Sequence, residues 1–216
     1  MRVAIATALT LTLILTLPMM APAAALNQLP KTGSEAMAQY EGDLDNWIDG
    51  PAEYLILDDE RDEWKELTTS EQRAAFITRF WDRRDADLRT QGNPFKDAFY
   101  ARVAYANERY RDTPFRGWRS DRGRLAVTLG LPDAERPIRA GTGLVWTYFT
   151  FGAHAEGKGF SSATGRVEIA FESRGSGRNT YMIAGSLGAG VYPAYVLHAL
   201  DFSRRAAVGG LIRPVS

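Results

Sequence analysis

Apolar residues recur at helical spacing through the first half of the chain and at a period of two through much of the second. Trp64 and Leu67 lie three apart on an acidic stretch for which Asp58 suits the N-cap. Thr69 followed by Gln72 reads as a capping box, opening a helix whose apolar stripe is Phe76, Ile77, Phe80 and Trp81. Asn93-Pro94 supplies a cap and a first-turn proline for the next helix. Its stripe is Phe95, Phe99, Val103, Ala106 and Tyr110. Two aromatic stripes of this kind predict helices packed on each other or on a sheet. Upstream, 36–47 carries a weak helical signal and Gly50-Pro51 marks a break.

From Arg124 the period becomes two. Leu125, Val127 and Leu129 alternate with Ala126 and Thr128, which predicts a strand ended by the turn residues Gly130-Leu131-Pro132-Asp133. A loop with Gly141 and Gly143 leads into 145–151, aromatic on both faces and so expected to be covered on both. After a glycine-rich loop, 152–165, Val167, Ile169 and Phe171 alternate with Glu168 and Glu172 as a half-buried strand does. Gly175-Ser176-Gly177 reads as a hairpin turn into a strand over 179–183, and Pro193 as the start of a last helix to Phe202. The pattern predicts an α+β fold, with N-terminal helices packed on a C-terminal, mainly antiparallel sheet. The expected divisions are a helical part over 51–115, a motif loop over 116–124, a sheet part over 124–184 and a helix over 193–203. One domain over 51–205 contains them all.

The two halves meet at Gly117-Trp118-Arg119-Ser120-Asp121-Arg122-Gly123-Arg124. Glycines at 117 and 123 permit close approaches denied to other residues. Trp118 can bury a large apolar surface if its N–H finds a partner. The expectation is that Trp118 packs on the Phe76/Phe80/Trp81 or Phe99/Val103 stripe and that Asp121 pairs with an arginine. A ligand-binding reading instead turns Arg119, Arg122 and Arg124 outward to clamp an anion.

Composition changes the picture in three places. Arg2 is followed by no charged residue until Lys31; Val3 to Leu17 is apolar apart from four threonines, and Ala21-Pro22-Ala23-Ala24-Ala25 follows. That is the layout of a secretory signal peptide over 1–23, cleaved after Ala23 or Ala25, followed by a polar extension over 24–50. Pro18 breaks the run too early for a membrane span, so none is expected after cleavage. The absence of cysteine removes disulfides, thiolate metal sites and a thiol nucleophile. The formal charge of zero conceals an asymmetry: 32–67 holds 12 acidic and 2 basic residues, 79–124 holds 12 basic and 7 acidic. Overall neutrality favours internal pairing of the two stretches over a basic surface for an anionic partner, and argues against nucleic acid.

The ordered set Phe80-Trp81-Asp82-Arg83-Arg84-Asp85, Asn93 with Phe95, Arg102 to Asn107, Gly117 to Arg124, Gly130-Leu131-Pro132-Asp133, and Trp146 with Tyr148 resembles the GWxTD domain family of exported bacterial proteins. The resemblance covers about 51–183. Ser120 stands where the family has threonine, and Leu131 where its turn has a first proline. It implies a cell-envelope location, periplasmic or extracellular, and brings no activity or cofactor with it. The motif residues marked out, as structural or ligand-binding, are Gly117, Trp118, Ser120, Asp121, Arg122, Gly123 and Arg124, with Arg84, Asp85 and Asp133 beside them.

Candidate chemistry is sparse. His154 and His198 are far apart and sit in no metal-binding or nucleophile motif, so neither a metal nor a cofactor is expected. The acidic run from Asp58 to Glu63 lacks the ligand spacing and glycine of a calcium loop. Two functional readings follow. The first is a non-enzymatic extracytoplasmic module that binds or scaffolds an envelope protein or anionic polymer. The second is a hydrolase of an envelope polymer using Asp121 with Asp133 or Glu168.

Overall fold

The structure is a computed structural model describing residues 33–85, 88–89, 91–110, 117–138, 142–149, 167–173, 181–184 and 192–208. The expected signal peptide over 1–23, His154, the glycine-rich stretch 152–165 and the expected turn at 175–177 lie outside the described residues. Among the described residues no helix is long and apolar enough to cross a membrane.

Helices α1 (Gly33–Glu41), α2 (Asp58–Lys65), α3 (Ser70–Asp82) and α4 (Pro94–Arg109) make the first layer. Their starts follow the side-chain chemistry of the sequence. Thr69 Oγ1 accepts from Gln72 N at 3.2 Å while Gln72 Oε1 accepts from Thr69 N at 3.1 Å, the reciprocal capping box. Asn93 Oδ1 accepts from Lys96 N at 2.9 Å, and its Nδ2 donates to Trp81 O at 2.8 Å, fixing the start of α4 to the end of α3. Helix α2 begins one residue earlier than Asp58 suggests: Leu57 is the N-cap, its N–H held by Glu60 Oε2 at 3.0 Å.

Strands β1 (Ala134–Ile138), β2 (Gly143–Tyr148), β3 (Val167–Ser173) and β4 (Tyr181–Ile183) form an antiparallel sheet in sequential order. All of β2 is buried, as its two-faced aromatic pattern requires, and Trp146 packs between Tyr110 and Phe171. Strand β3 buries Ile169 and Phe171 and exposes Glu168 and Glu172. Helix α6 (Ala194–Ala207) is the last described helix. The α+β architecture stands as expected.

One element does not. The stretch expected as the first strand is a helix, α5 (Asp121–Leu129), and the sheet begins at Ala134 instead of 124. Leu125, Ala126 and Val127 are all wholly buried and Thr128 nearly so, so no polar face existed for a period of two to mark. The stronger local signal is the cap: Ser120 Oγ accepts from Gly123 N at 3.0 Å, and Gly130 ends the helix at φ +90°. Helix α5 lies between α4, α6 and β4, at the centre of the molecule.

The charge asymmetry resolves into internal pairing. Arg73 meets Asp45, Arg79 Nη2 reaches Glu63 Oε1 at 2.5 Å, Lys96 Nζ reaches Glu41 Oε2 at 2.5 Å, and Arg84 is locked to Glu60. In each case an acid from the first stretch meets a base from α3, its C-terminal turn or α4, and Arg79, Arg84 and Lys96 come from the basic stretch.

Candidate functional site

The motif is a 3₁₀ turn, Gly117–Arg119, running through the Ser120 cap into α5. Its glycines are there for space. A Cβ on Gly117 would lie 2.0 Å from Ala106 O on α4, and one on Gly123 would lie 2.0 Å from Gly117 O. Backbone therefore packs on backbone at both positions, and the turn is pressed against α4 and against the first turn of α5. Ser120 Oγ donates to Gly117 O at 2.7 Å as well as capping α5.

Trp118 is 1% exposed. Its Nε1 donates to Tyr40 Oη at 3.0 Å, and Tyr54 Oη donates to its carbonyl at 3.3 Å. The rings beside it are Tyr40, edge-on at 6.2 Å, and Tyr54 at 5.4 Å. The ring contacts of Phe76, Phe80, Trp81 and Phe99 are with Trp47, Trp64, Phe95, Tyr100 and one another, so the rings against Trp118 are Tyr40 and Tyr54, while the motif turn packs on α4, the helix that carries the Phe99/Val103 stripe.

Asp121 is buried, and its partners are not arginines. Oδ2 accepts from Ile183 N on β4 at 2.8 Å, and Oδ1 accepts from Tyr192 Oη at 2.8 Å. Burial and then the Asp121 carboxylate push the Tyr192 phenol up to about 12, so it remains a donor. The aspartate thereby ties the start of α5 to the outer strand and to the segment entering α6. The arginines around it lie on aromatic faces. Arg122 lies over Tyr110 at 4.6 Å and Tyr181 at 4.3 Å, and Arg124 over Tyr54 at 4.6 Å and Tyr192 at 5.5 Å. Arg119 is exposed, covers Trp118 at 4.7 Å and donates to Asp49 O at 2.9 Å.

Arg84 is fully buried behind the motif, outside contact with solvent. Nη1 and Nη2 donate to Glu60 Oε1 and Oε2 at 2.9 and 2.7 Å, and further to Phe80 O and Leu55 O. Burial pulls its guanidinium down from the ordinary arginine value, and Glu60 opposes the shift. Arg204 of α6 donates to Ile56 O at 2.9 Å, so the 54–57 stretch is held from α3, from the motif and from α6 at once. Asp85 follows in the turn after α3. Asp133 accepts from Phe149 N at 2.6 Å and opens β1.

The structure does not bring the sequence-predicted carboxylates together. Asp121 holds β4 and Asp133 leads into β1, with three inter-strand spacings, roughly 14 Å, between those strands. Glu168 lies three residues, about 10 Å along β3, from the Phe171 that pairs with Ile183. A cleft lies elsewhere: a cavity of about 330 Å³ between the Pro51–Tyr54 3₁₀ turn, α5 and α6. Glu53 and Tyr54 wall it from the turn, Arg124 and Thr128 from α5. Leu197, Leu200, Asp201 and Arg204 present one stripe of α6 to it. Burial raises the Glu53 carboxyl above its ordinary value against the fields of Arg119 and Arg124. Burial also acts to raise Asp201, but bonds from Arg205 and Arg204 outweigh it and hold that carboxyl low.

Sequence reasoning missed this cleft. The α6 stripe, spaced three, four and seven apart, was visible; its meeting with Glu53 across almost 150 positions was not. Among the described residues no cluster of three or more His, Asp or Glu side chains is placed to hold a metal ion.

A model of the GWxTD domain matches residues 48–161. No curated protein and no solved structure matches the chain.

Proposed function

The chain belongs to the GWxTD domain family, and on that footing we propose that it is an exported, non-enzymatic module that binds or scaffolds a protein of the cell envelope. The observation that carries this reading is the inward commitment of the motif. Trp118, Ser120 and Asp121 are all buried, and their polar atoms bond to the fold itself. A motif used in this way builds a scaffold and leaves recognition to other surfaces. A protein partner is favoured over an anionic polymer because the arginines are engaged by tyrosine rings, backbone carbonyls and internal carboxylates.

One observation favours the second reading, hydrolysis of an envelope polymer. Glu53 and Asp201 wall the same cavity, and their carboxyls are driven in opposite directions, as an acid and a base require. Against it, both Asp201 oxygens already accept from Arg204 and Arg205.

The test joins in-cell crosslinking with a turnover assay on purified envelope glycan and peptide fractions. The module reading expects a discrete complex with another envelope protein and no turnover. Turnover that is abolished in a folded Glu53→Gln variant overturns it. Export rests on the N-terminal pattern and is tested by N-terminal sequencing of envelope-localised protein. Cleavage after Ala23 or Ala25 is expected, and an intact Met1 overturns it.

A further inference from the structure

We propose that the cleft between the Pro51–Tyr54 turn, α5 and α6 receives an aliphatic side chain of a partner peptide together with its flanking backbone amide. This deepens the module reading and rests on it. The argument starts from which lining groups are already engaged. Tyr54 Oη donates to Trp118 O, and Arg204 and Asp201 bond each other. Left over are two groups, the Glu53 carboxyl and the Arg124 guanidinium. Among the described residues nothing hydrogen bonds or ion pairs with the Glu53 carboxyl. Thr128 beside it is 7% exposed, and its Oγ1 is already buried without a hydrogen-bond partner, so its hydroxyl is not counted among them. Arg124 keeps N–H groups beyond the one that meets Tyr192. An acceptor and a donor facing one small space match an amide, whose N–H suits the carboxylate and whose C=O suits the guanidinium.

The remaining walls select the rest of the ligand. Leu197, 47% exposed, and Leu200 give one side an aliphatic surface. An apolar chain without polar atoms would bury the Glu53 carboxylate unsatisfied, which is unfavourable. Two carboxylates balance two guanidiniums in the lining, so a phosphate or polyanion gains no net attraction. A sugar ring would need an open aromatic face, and Tyr54 already carries Arg124 at 4.6 Å and the Trp118 ring at 5.4 Å. At about 330 Å³ the cleft is at the small end of ligand sites and suits one or two residues.

The experiment titrates the purified, isotope-labelled full chain with the peptide acetyl-Ala-Leu-Ala-amide and follows backbone amide shifts. Saturable shifts are expected at Glu53, Thr128, Leu197 and Leu200. Acetyl-Ala-Ser-Ala-amide should bind about tenfold more weakly for loss of the buried aliphatic group. Leu197→Asp, at an exposed position that folding tolerates, should weaken the leucine peptide severalfold. The assignment is overturned if shifts do not saturate or map elsewhere, if the serine peptide binds equally, or if N-acetylglucosamine occupies the site in preference. Photo-crosslinkers at Leu197 and at Arg136 on β1 separate the two levels of inference. Crosslinks from Arg136 alone sink the cleft and leave the module reading standing; a discrete partner from neither position sinks that reading as well.

Discussion

Removing the Asp121 carboxylate isolates what the motif does. In Asp121→Ala two buried donors, Ile183 N–H and Tyr192 O–H, lose their acceptor together. Each stranded donor costs about 1–3 kcal/mol. The favourable position of a carboxylate in the first turn of α5 adds roughly 0.5–1 kcal/mol. The expected loss is therefore about 4 kcal/mol. Asp121→Asn is milder, since Oδ1 can still face Ile183 N–H while Nδ2 donates to Tyr192 Oη; about 1–2 kcal/mol is expected for the weaker, uncharged bonds. Tyr192→Phe removes one donor and should cost about 1–2 kcal/mol. Combined with Asp121→Ala it should recover part of the loss, because the stranded hydroxyl donor is then gone, giving a coupling energy of about 2–4 kcal/mol.

The assay is urea unfolding at constant m, with amide exchange to locate the damage. Exchange should quicken first in β4 and α6, the two elements the carboxylate holds to α5. Two results refute the reasoning: Asp121→Ala within about 0.5 kcal/mol of wild type, or Asn and Ala variants equally destabilised. Either would mean that the bonds to Ile183 and Tyr192 contribute no net stability.

Three further outcomes follow from the same geometry. Gly123→Ala should destabilise by at least ~1–3 kcal/mol, although helix propensity alone favours alanine by about 1 kcal/mol, because the new Cβ meets Gly117 O at 2.0 Å; a stabilised variant in thermal melts would refute the close approach. Arg84→Met should cost about 3–5 kcal/mol by leaving Glu60 buried and short of its main partner, and Arg84→Met/Glu60→Gln should recover part of that loss; a double variant no better than the single one in urea unfolding counts against the pair. Glu53→Gln should stabilise the protein at neutral pH. The folded-state carboxyl titrates above its ordinary 4.5, so its favourable contribution is complete at low pH and is lost as pH rises through the folded value. Unfolding midpoints should show the variant's advantage at pH 8 and none at pH 4; a constant offset would refute the burial argument.

The helical layer was legible because its caps are local. Thr69/Gln72 and Asn93-Pro94 act within three residues and bond as their spacing predicts. Strand β3 was legible because one face meets water, so Glu168 and Glu172 alternate with Ile169 and Phe171. The 121–129 stretch was misread because total burial removes the polar face that distinguishes a period of two from one of 3.6. There Ser120 and Gly123 carried the better information, three apart like the Thr69/Gln72 cap. Strand β1 was missed because Ala134-Glu135-Arg136-Pro137 exposes most of its side chains and includes a proline, which only an edge strand accepts. The partners of the motif were beyond reach altogether. Tyr40 and Tyr192 bond Trp118 and Asp121 across 78 and 71 positions, and no local pattern encodes a pairing of that separation.

Those two tyrosines also divide the molecule by role. The family match spans 48–161, yet Trp118 is completed by Tyr40 before it and Asp121 by Tyr192 and Ile183 after it. The matched stretch therefore supplies the motif but not all the groups that satisfy it, and the folded unit extends at least from α1 to α6. The cleft divides in the same way. Glu53, Tyr54, Arg124 and Thr128 come from the matched frame, whereas Leu197, Leu200, Asp201 and Arg204 come from α6 outside it. The polar groups left without partners, Glu53 and Thr128, belong to the frame, and the aliphatic surface belongs to α6. A change in α6 can thus alter which side chain is accepted without touching the bonds that hold the motif. Leu197→Asp should shift peptide preference at nearly unchanged stability, while Asp121→Ala should loosen β4 and α6 together and with them the whole cleft. The proposed recognition cleft and the architecture meet at α5, and the buried carboxylate at its first turn ties that helix to β4 and to the segment entering α6.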